Sequence, residues 1–340
     1  MYTSQHTNKY KQLTSMLTFL SYKQPTQQQC IRGCGYSTLE QTPKELSPIP
    51  ECFHNIPDPI SSKDWLVVNK ESRQTYNKWL RGWNDVRQPN TPNIIYLQPI
   101  GVFDTALLTN LSLFVSAYYP GILVRIGELI TITSTPTTQT ISVPKINSRR
   151  KDTTNTTRIL TWRQRKHGKQ YAIEPIIDAL HLCKPKDAFC VIGVTMEDLY
   201  ANIGDTFTVG LANKGAGVAL FSFARYNPLF NVPSNISITN TTPTAPNNIL
   251  LQRSCKVLVH ELAHLYGISH CVWYDCCMNG SGNLTEDYRQ PLHFCPVCLR
   301  KLQYVTGCDL KQRYESLLAF YKQHQFTQEV VWQEQLLKLL

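Results

Sequence analysis

The feature that most narrows what this chain can be is the run V-L-V-H-E-L-A-H-L-Y-G-I-S-H-C at positions 257–271. It closes a proline-free segment of helix-forming composition, Leu250 to Tyr266. On a helix His260 and His264 are i and i+4, so both imidazoles leave one face a turn apart and can share an ion. Glu261 points just off that face, able to reach a metal-bound water without occupying the metal. Gly267 is a natural stop, able to take the left-handed conformation at a helix C-terminus. The chain then reverses, and His270 can return to the same ion from outside the helix. Three neutral imidazoles leave one position open for water, the form of a catalytic zinc site.

The cysteines point to a second ion. The 340-residue chain has 12, and five of them, Cys271, Cys276, Cys277, Cys295 and Cys298, fall within 28 residues. Cys271, Cys276, Cys295 and Cys298 are spaced for a closed tetrahedral, structural zinc. Cys277 could replace Cys276 in that quartet. The other seven read as small buried hydrophobes. Met278 sits where a methionine turn would place an apolar floor beneath the histidines.

Charge is less informative. Lys+Arg outnumber Asp+Glu by 34 to 24, and the stretch 149–169 holds eight of the cations against one acid, Asp152, for +7 of the net +10. Only Trp162 and Tyr171 lie nearby for base stacking, so a basic surface loop is expected and a nucleic-acid partner is not. No apolar run approaches the roughly 20 residues of a membrane span. The N-terminus lacks a secretory pattern, so the expectation is an intracellular chain, cytoplasmic or nuclear, with reduced thiols.

Along the chain, residues 1–90 read as a poorly periodic, partly irregular extension rich in Pro and Gln, with Trp65, Trp79 and Trp83 to dock it. Strands are expected at Asn93–Gly101, Ile122–Ile130, Ala188–Thr195, Phe207–Asn213 and Gly217–Tyr226, the last two forming a hairpin through Lys214-Gly215. Helices are expected at Asp104–Tyr119, Tyr171–Leu182 and Leu250–Tyr266, with 131–169 and 231–248 as loops. Alternating strands and helices predict an α/β domain with a largely parallel sheet. The expected division is 1–90 as the extension, 91–270 as a catalytic subdomain and 271–340 as a cysteine-rich, zinc-binding subdomain with terminal helices.

H-E-L-A-H-L-Y-G-I-S-H-C, then Cys276-Cys277-Met278 and Cys295-Pro-Val-Cys298-Leu-Arg-Lys301, resemble the archaemetzincins, a family of metallopeptidases. The likeness extends to Asp187–Met196 with Asp198-Leu-Tyr200, to Phe221–Tyr226 and to Leu251–Lys256, so it spans roughly 92–320. The resemblance implies a metzincin-like twisted mixed sheet, mostly parallel with one antiparallel edge strand, above an active-site helix. It implies two zinc ions: a catalytic one on His260, His264 and His270 with Glu261 as general base, and a structural one on Cys271, Cys276, Cys295 and Cys298. The expected reaction is hydrolysis of peptide bonds by a zinc-activated water, with a peptide or protein substrate, no membrane and a monomeric chain. The alternative is a zinc-stabilised binding protein, catalytically silent or directed to nucleic acid through 149–169.

Overall fold

The run Ala188-Phe-Cys-Val-Ile-Gly-Val-Thr195 is apolar along both faces, the signature of a strand buried on both sides of a parallel sheet. The computed structural model, which describes residues 23–86, 93–144, 155–231 and 244–340, places it at the centre of a five-stranded sheet. In chain order the elements are α1 (Gln27–Gly33), α2 (Trp65–Val68), α3 (Tyr76–Val86), β1 (Ile94–Ile100), α4 (Thr105–Tyr118), β2 (Leu123–Ile126), β3 (Ile132–Ser134), β4 (Gln139–Pro144), β5 (Asn155–Ile159), β6 (Trp162–Arg165), β7 (Gly168–Ala172) and α5 (Ile173–Leu182). They continue with β8 (Ala188–Thr195), β9 (Asp198–Tyr200), β10 (Gly210–Asn213), β11 (Val218–Ser222), α6 (Thr244–Leu265), α7 (Leu284–Arg289), α8 (Pro296–Thr306), α9 (Leu310–Gln323) and α10 (Thr327–Leu339).

The chain divides into two units. One comprises 88–265 with 323–326; the other joins 1–87 to 266–322 and 327–340. In the first unit the sheet runs β10-β11-β8-β1-β2. β2, β1, β8 and β11 are mutually parallel, and β10 returns antiparallel at the edge. This is the mixed sheet expected, with the hairpin in its expected place. Gly193 on β8 has a packing reason: an added Cβ would stand 2.6 Å from Leu180 Cδ1 and 2.9 Å from Leu220 Cδ1. α5 closes one face of the unit through Ile173, Ile176 and Leu180, all fully buried. α4 begins where Asp104 caps it, its Oδ1 accepting the Ala106 N–H at 2.9 Å. The Tyr119 hydroxyl just beyond α4 donates to the Val259 carbonyl at 2.7 Å, bracing α6 one residue before His260.

Three expectations need correction. Residues 244–248, expected in the second loop, open α6 instead. The segment 131–169 is not a loop over its described residues: β3, β4 and β5 form one antiparallel sheet, while β6 and β7 pair antiparallel and β7 joins β9 in parallel. The reason is local alternation, since Ile141 and Val143 point into the core between outward Thr140, Ser142 and Pro144. Polar Thr and Ser concealed those short strands. The strand expected over 122–130 shrinks to Leu123–Ile126. Of the basic stretch, 149–154 lies outside the described residues, as does 232–243 of the expected second loop.

The second unit has no strand among its described residues. α8 starts with Pro296 at its first turn and ends at Gly307, whose φ of 66° closes the helix in the left-handed region. Segment 23–86 is tied to 266–322 and 327–340 by side chains bonding distant backbone, such as Trp332 Nε1 to the Cys52 carbonyl at 2.8 Å. No helix among the described residues is long and apolar enough to cross a membrane.

Candidate active site

The histidine pair is set by helix periodicity. On α6 His260 and His264 are half-buried, their Nε2 atoms 3.0 Å apart and their rings edge to face at 4.7 Å. Two imidazoles aimed nitrogen to nitrogen describe a shared point that a cation would fill. Leu258, Leu262 and Leu265 occupy the buried side of the helix, which leaves the histidine side for chemistry. Glu261, between them, is also half-buried. α6 ends at Leu265, and Gly267 turns the chain with φ 78°, where a side chain would be strained.

His270 follows on the far side of that turn, half-buried, its Nδ1 3.0 Å from Glu71 Oε1. His260 and His264 in one unit and His270 in the other are the three histidines that the motif singles out, and each is half-buried.

The thiols form the second group. The Sγ atoms of Cys271, Cys276, Cys295 and Cys298 all lie within 4.8 Å of one another, and every one of these residues is buried. Cys271 Sγ and Cys295 Sγ are 3.7 Å apart. A tetrahedral zinc with bonds of about 2.3 Å separates its sulfurs by about 3.8 Å, close to the spacing of that pair. Backbone N–H groups aim at the sulfurs: Cys295 N at Cys276 Sγ (3.2 Å), Trp273 N at Cys271 Sγ (3.4 Å) and Met278 N at Cys276 Sγ (3.5 Å). Burial opposes a thiolate at Cys271, but hydrogen bonds from Cys276, Cys295 and Cys298 outweigh it and hold that group well below the usual thiol range. Burial, reinforced by the bond to Cys271, pushes Cys276 and Cys295 well up. Negative charge is thus favoured at Cys271 and resisted at Cys276 and Cys295, and a bound cation would favour it at all three.

Met278 is fully buried, and its carbonyl accepts the Cys271 N–H at 2.6 Å. Cys277 stands outside the four-sulfur group; its N–H bonds the His293 carbonyl at 2.8 Å.

Comparison with known proteins places these residues in a family. The model of peptidase family M54 matches residues 167–304. Archaemetzincin-2 of Rattus norvegicus is 33% identical over 291 residues, covering 78% of this chain and 75% of the relative. The chain belongs to the archaemetzincin family. It is a zinc metallopeptidase by that membership, and its substrate is a peptide or protein. Archaemetzincin-2 of Homo sapiens is 31% identical, over 76% of this chain and 72% of the relative. Among solved structures, archaemetzincin from Methanopyrus kandleri aligns with 65% of this chain and 99% of its own, at 23% identity and a TM-score of 0.42.

Several residues around the two archaemetzincin clusters escape a motif reading. Asn279 knots the cysteine loop: its Oδ1 accepts the Cys276 N–H at 2.8 Å, while its Nδ2 donates to the carbonyls of Cys271 and Tyr274 at 2.9 and 3.0 Å. Gln74 holds the turn after α6, donating to the Gly267 carbonyl at 3.1 Å and accepting the Ser269 N–H at 3.1 Å. Buried Lys301 in turn donates to Gln74 Oε1 at 2.9 Å. A polar residue about 190 positions away from the turn it secures leaves no periodic signal. The adjacency of Asn279 to Met278 was the one cue available.

Proposed function

We propose that the chain hydrolyses peptide bonds with Glu261 as general base, at a zinc held by His260, His264 and His270, while Cys271, Cys276, Cys295 and Cys298 hold a second, structural zinc. The contrast in burial supports this division most directly. The thiol group is closed off from solvent, whereas the histidines and Glu261 keep access to it.

A zinc held by three imidazoles would supply Lewis acidity for the scissile carbonyl and lower the pKa of a water to about 7. The Glu261 carboxylate takes the proton of the attacking water and passes it to the nitrogen of the leaving amine. Buried Leu262 and Ala263 follow it on α6, fixing the helix from which the carboxylate extends. An extended peptide pairs with the outer edge of β10 by strand addition, presenting its carbonyl along the sheet. The reading as a nucleic-acid binder draws no support from the basic stretch. The Arg163 guanidinium donates to the carbonyls of Ile203 and Asp205 and lies 4.0 Å over the Tyr200 ring, and Lys169 sits over Trp162.

Zinc content and peptide hydrolysis of the parent and Glu261→Ala test the proposal together. Two zincs are expected in both, with hydrolysis reduced about 10²–10⁴-fold in the variant. One zinc in the parent, or equal rates in the two proteins, overturns it.

A further inference from the structure

Residues 65–79 run close along the segment that follows the active-site helix. Trp79 Nε1 donates to the Tyr266 carbonyl at 2.9 Å. Gln74 holds Gly267 and Ser269, and Arg73 Nε donates to the Val272 carbonyl at 3.3 Å. Within this strap one carboxylate meets the third histidine: Glu71 Oε1 lies 3.0 Å from His270 Nδ1. The Trp65 indole N–H donates to the same oxygen at 2.9 Å, and the Trp65 ring packs edge to face on the imidazole at 4.7 Å.

From this geometry we infer that Glu71, supplied by a segment 199 residues earlier in the chain, is the positioning residue that orients His270 as a zinc ligand. The inference rests on the reading of His260, His264 and His270 as one zinc site. An ionised carboxylate only accepts hydrogen bonds, so the hydrogen on His270 belongs to Nδ1. That fixes the tautomer and leaves the Nε2 lone pair as the donor atom for a metal, the same atom that His260 and His264 turn toward each other. Carboxylate partners of this kind set the ring orientation and raise the basicity of the ligand. The other two histidines ride on α6, where helix geometry orients them. His270 follows a left-handed glycine outside any helix or strand, so helix geometry does not orient it. Glu71 and Trp65 do so by holding one ring nitrogen and one ring face, while Gln74 pins the backbone at Gly267 and Ser269.

The test is zinc affinity of the purified full chain, by chelator competition, together with the visible spectrum of cobalt placed in the histidine site. Glu71→Ala should weaken binding at the histidine site about 10–100-fold and shift the cobalt spectrum, with the cysteine-bound zinc unchanged. Glu71→Gln, whose amide oxygen still accepts the Nδ1 hydrogen, should recover most of the affinity. Trp65→Phe, which removes the indole bond but keeps an aromatic face and the Glu71–His270 pair, should weaken binding less than Glu71→Ala does. Parent-like affinity in Glu71→Ala overturns the inference, and so does a Gln variant no better than Ala. If Glu71→Ala fails to fold, the Gln and Phe variants decide: a loss in Trp65→Phe as large as that expected of Glu71→Ala, with none in Glu71→Gln, assigns the role to Trp65 instead. His264→Ala serves as the control. If it keeps both zincs, the three-histidine reading itself has failed, an outcome distinct from the failure of Glu71.

Discussion

The two units reach order by different means. The unit carrying His260 and His264 is organised by a parallel sheet whose central strand is almost wholly buried, with α5 packed on apolar side chains. The unit carrying the cysteines has no strand among its described residues, and its far-separated segments meet through buried thiols, aromatic rings and side chains bonded to distant backbone. Apolar burial, worth near 25 cal/mol per Å², is the main support of the first unit. The second places four cysteine sulfurs together in its interior. On the proposed reading, an ion there would contribute to folding directly, and one at the histidines would contribute to chemistry.

The sharpest break of that comparison is Cys298→Ser. Structural zinc supplies about 10–16 kcal/mol of binding free energy in small zinc-finger peptides, which in such sites is folding free energy. The variant should lose one zinc and become open to protease within 23–86 and 266–340, while 93–231 stays protected. Limited proteolysis with mass-spectrometric mapping, beside zinc analysis, reads both. Protection unchanged across the whole chain would show that the cysteine unit holds itself together without the ion.

What was legible in the sequence follows the same division. β1, β8, the β10–β11 hairpin and α4 announce themselves because burial imposes a period on every residue of an apolar run. His260, Glu261 and His264 were legible because helix spacing and metal chemistry constrain the same positions. The β3–β7 strands were hidden by short length and by Thr and Ser on their outward faces. The strap from Trp65 to Trp79 was hidden more deeply. Gln74 and Glu71 act through single hydrogen bonds across more than 190 residues, and one hydrogen bond leaves no pattern along a chain.

A smaller effect distinguishes metal from ordinary polar packing inside the cysteine unit. Asp64 is 1% exposed; its Oδ2 accepts from Arg289 and from the Ile60 N–H, both at 2.8 Å, and its Oδ1 accepts from Asn283 at 3.0 Å. Burial disfavours the charge, but these bonds outweigh it and hold the carboxyl below its ordinary value. A depressed value in the folded state means stability that is present above about pH 4 and lost as pH falls through the folded value. Asp64→Asn should therefore cost about 1.5–3 kcal/mol at neutral pH, the worth of hydrogen bonds to a charged group. The gap between parent and variant in urea midpoint should stay constant from about pH 7 to pH 5. Zinc release common to both proteins cancels in that difference. A gap that closes within this window would mean that Asp64 titrates at or above its ordinary value.

The smallest effect concerns the edge of the sheet unit, where stability and function separate. The Ser222 N–H donates to the Val209 carbonyl at 2.8 Å, so in the antiparallel register Val209, Leu211 and Asn213 face β11. Gly210 and Ala212 turn their peptide groups away from the sheet. Ala212→Pro removes an outward donor and spares the ladder to β11, the one arrangement in which a strand tolerates proline. A peptide that pairs there loses one hydrogen bond, about 0.5–1.5 kcal/mol, or roughly 2–12-fold in kcat/KM. Thermal stability should be unchanged. Leu211→Pro, which removes a donor to β11, should instead lower Tm. If Ala212→Pro cleaves peptides at the parent rate, substrates do not use this edge, and the hairpin serves the sheet alone.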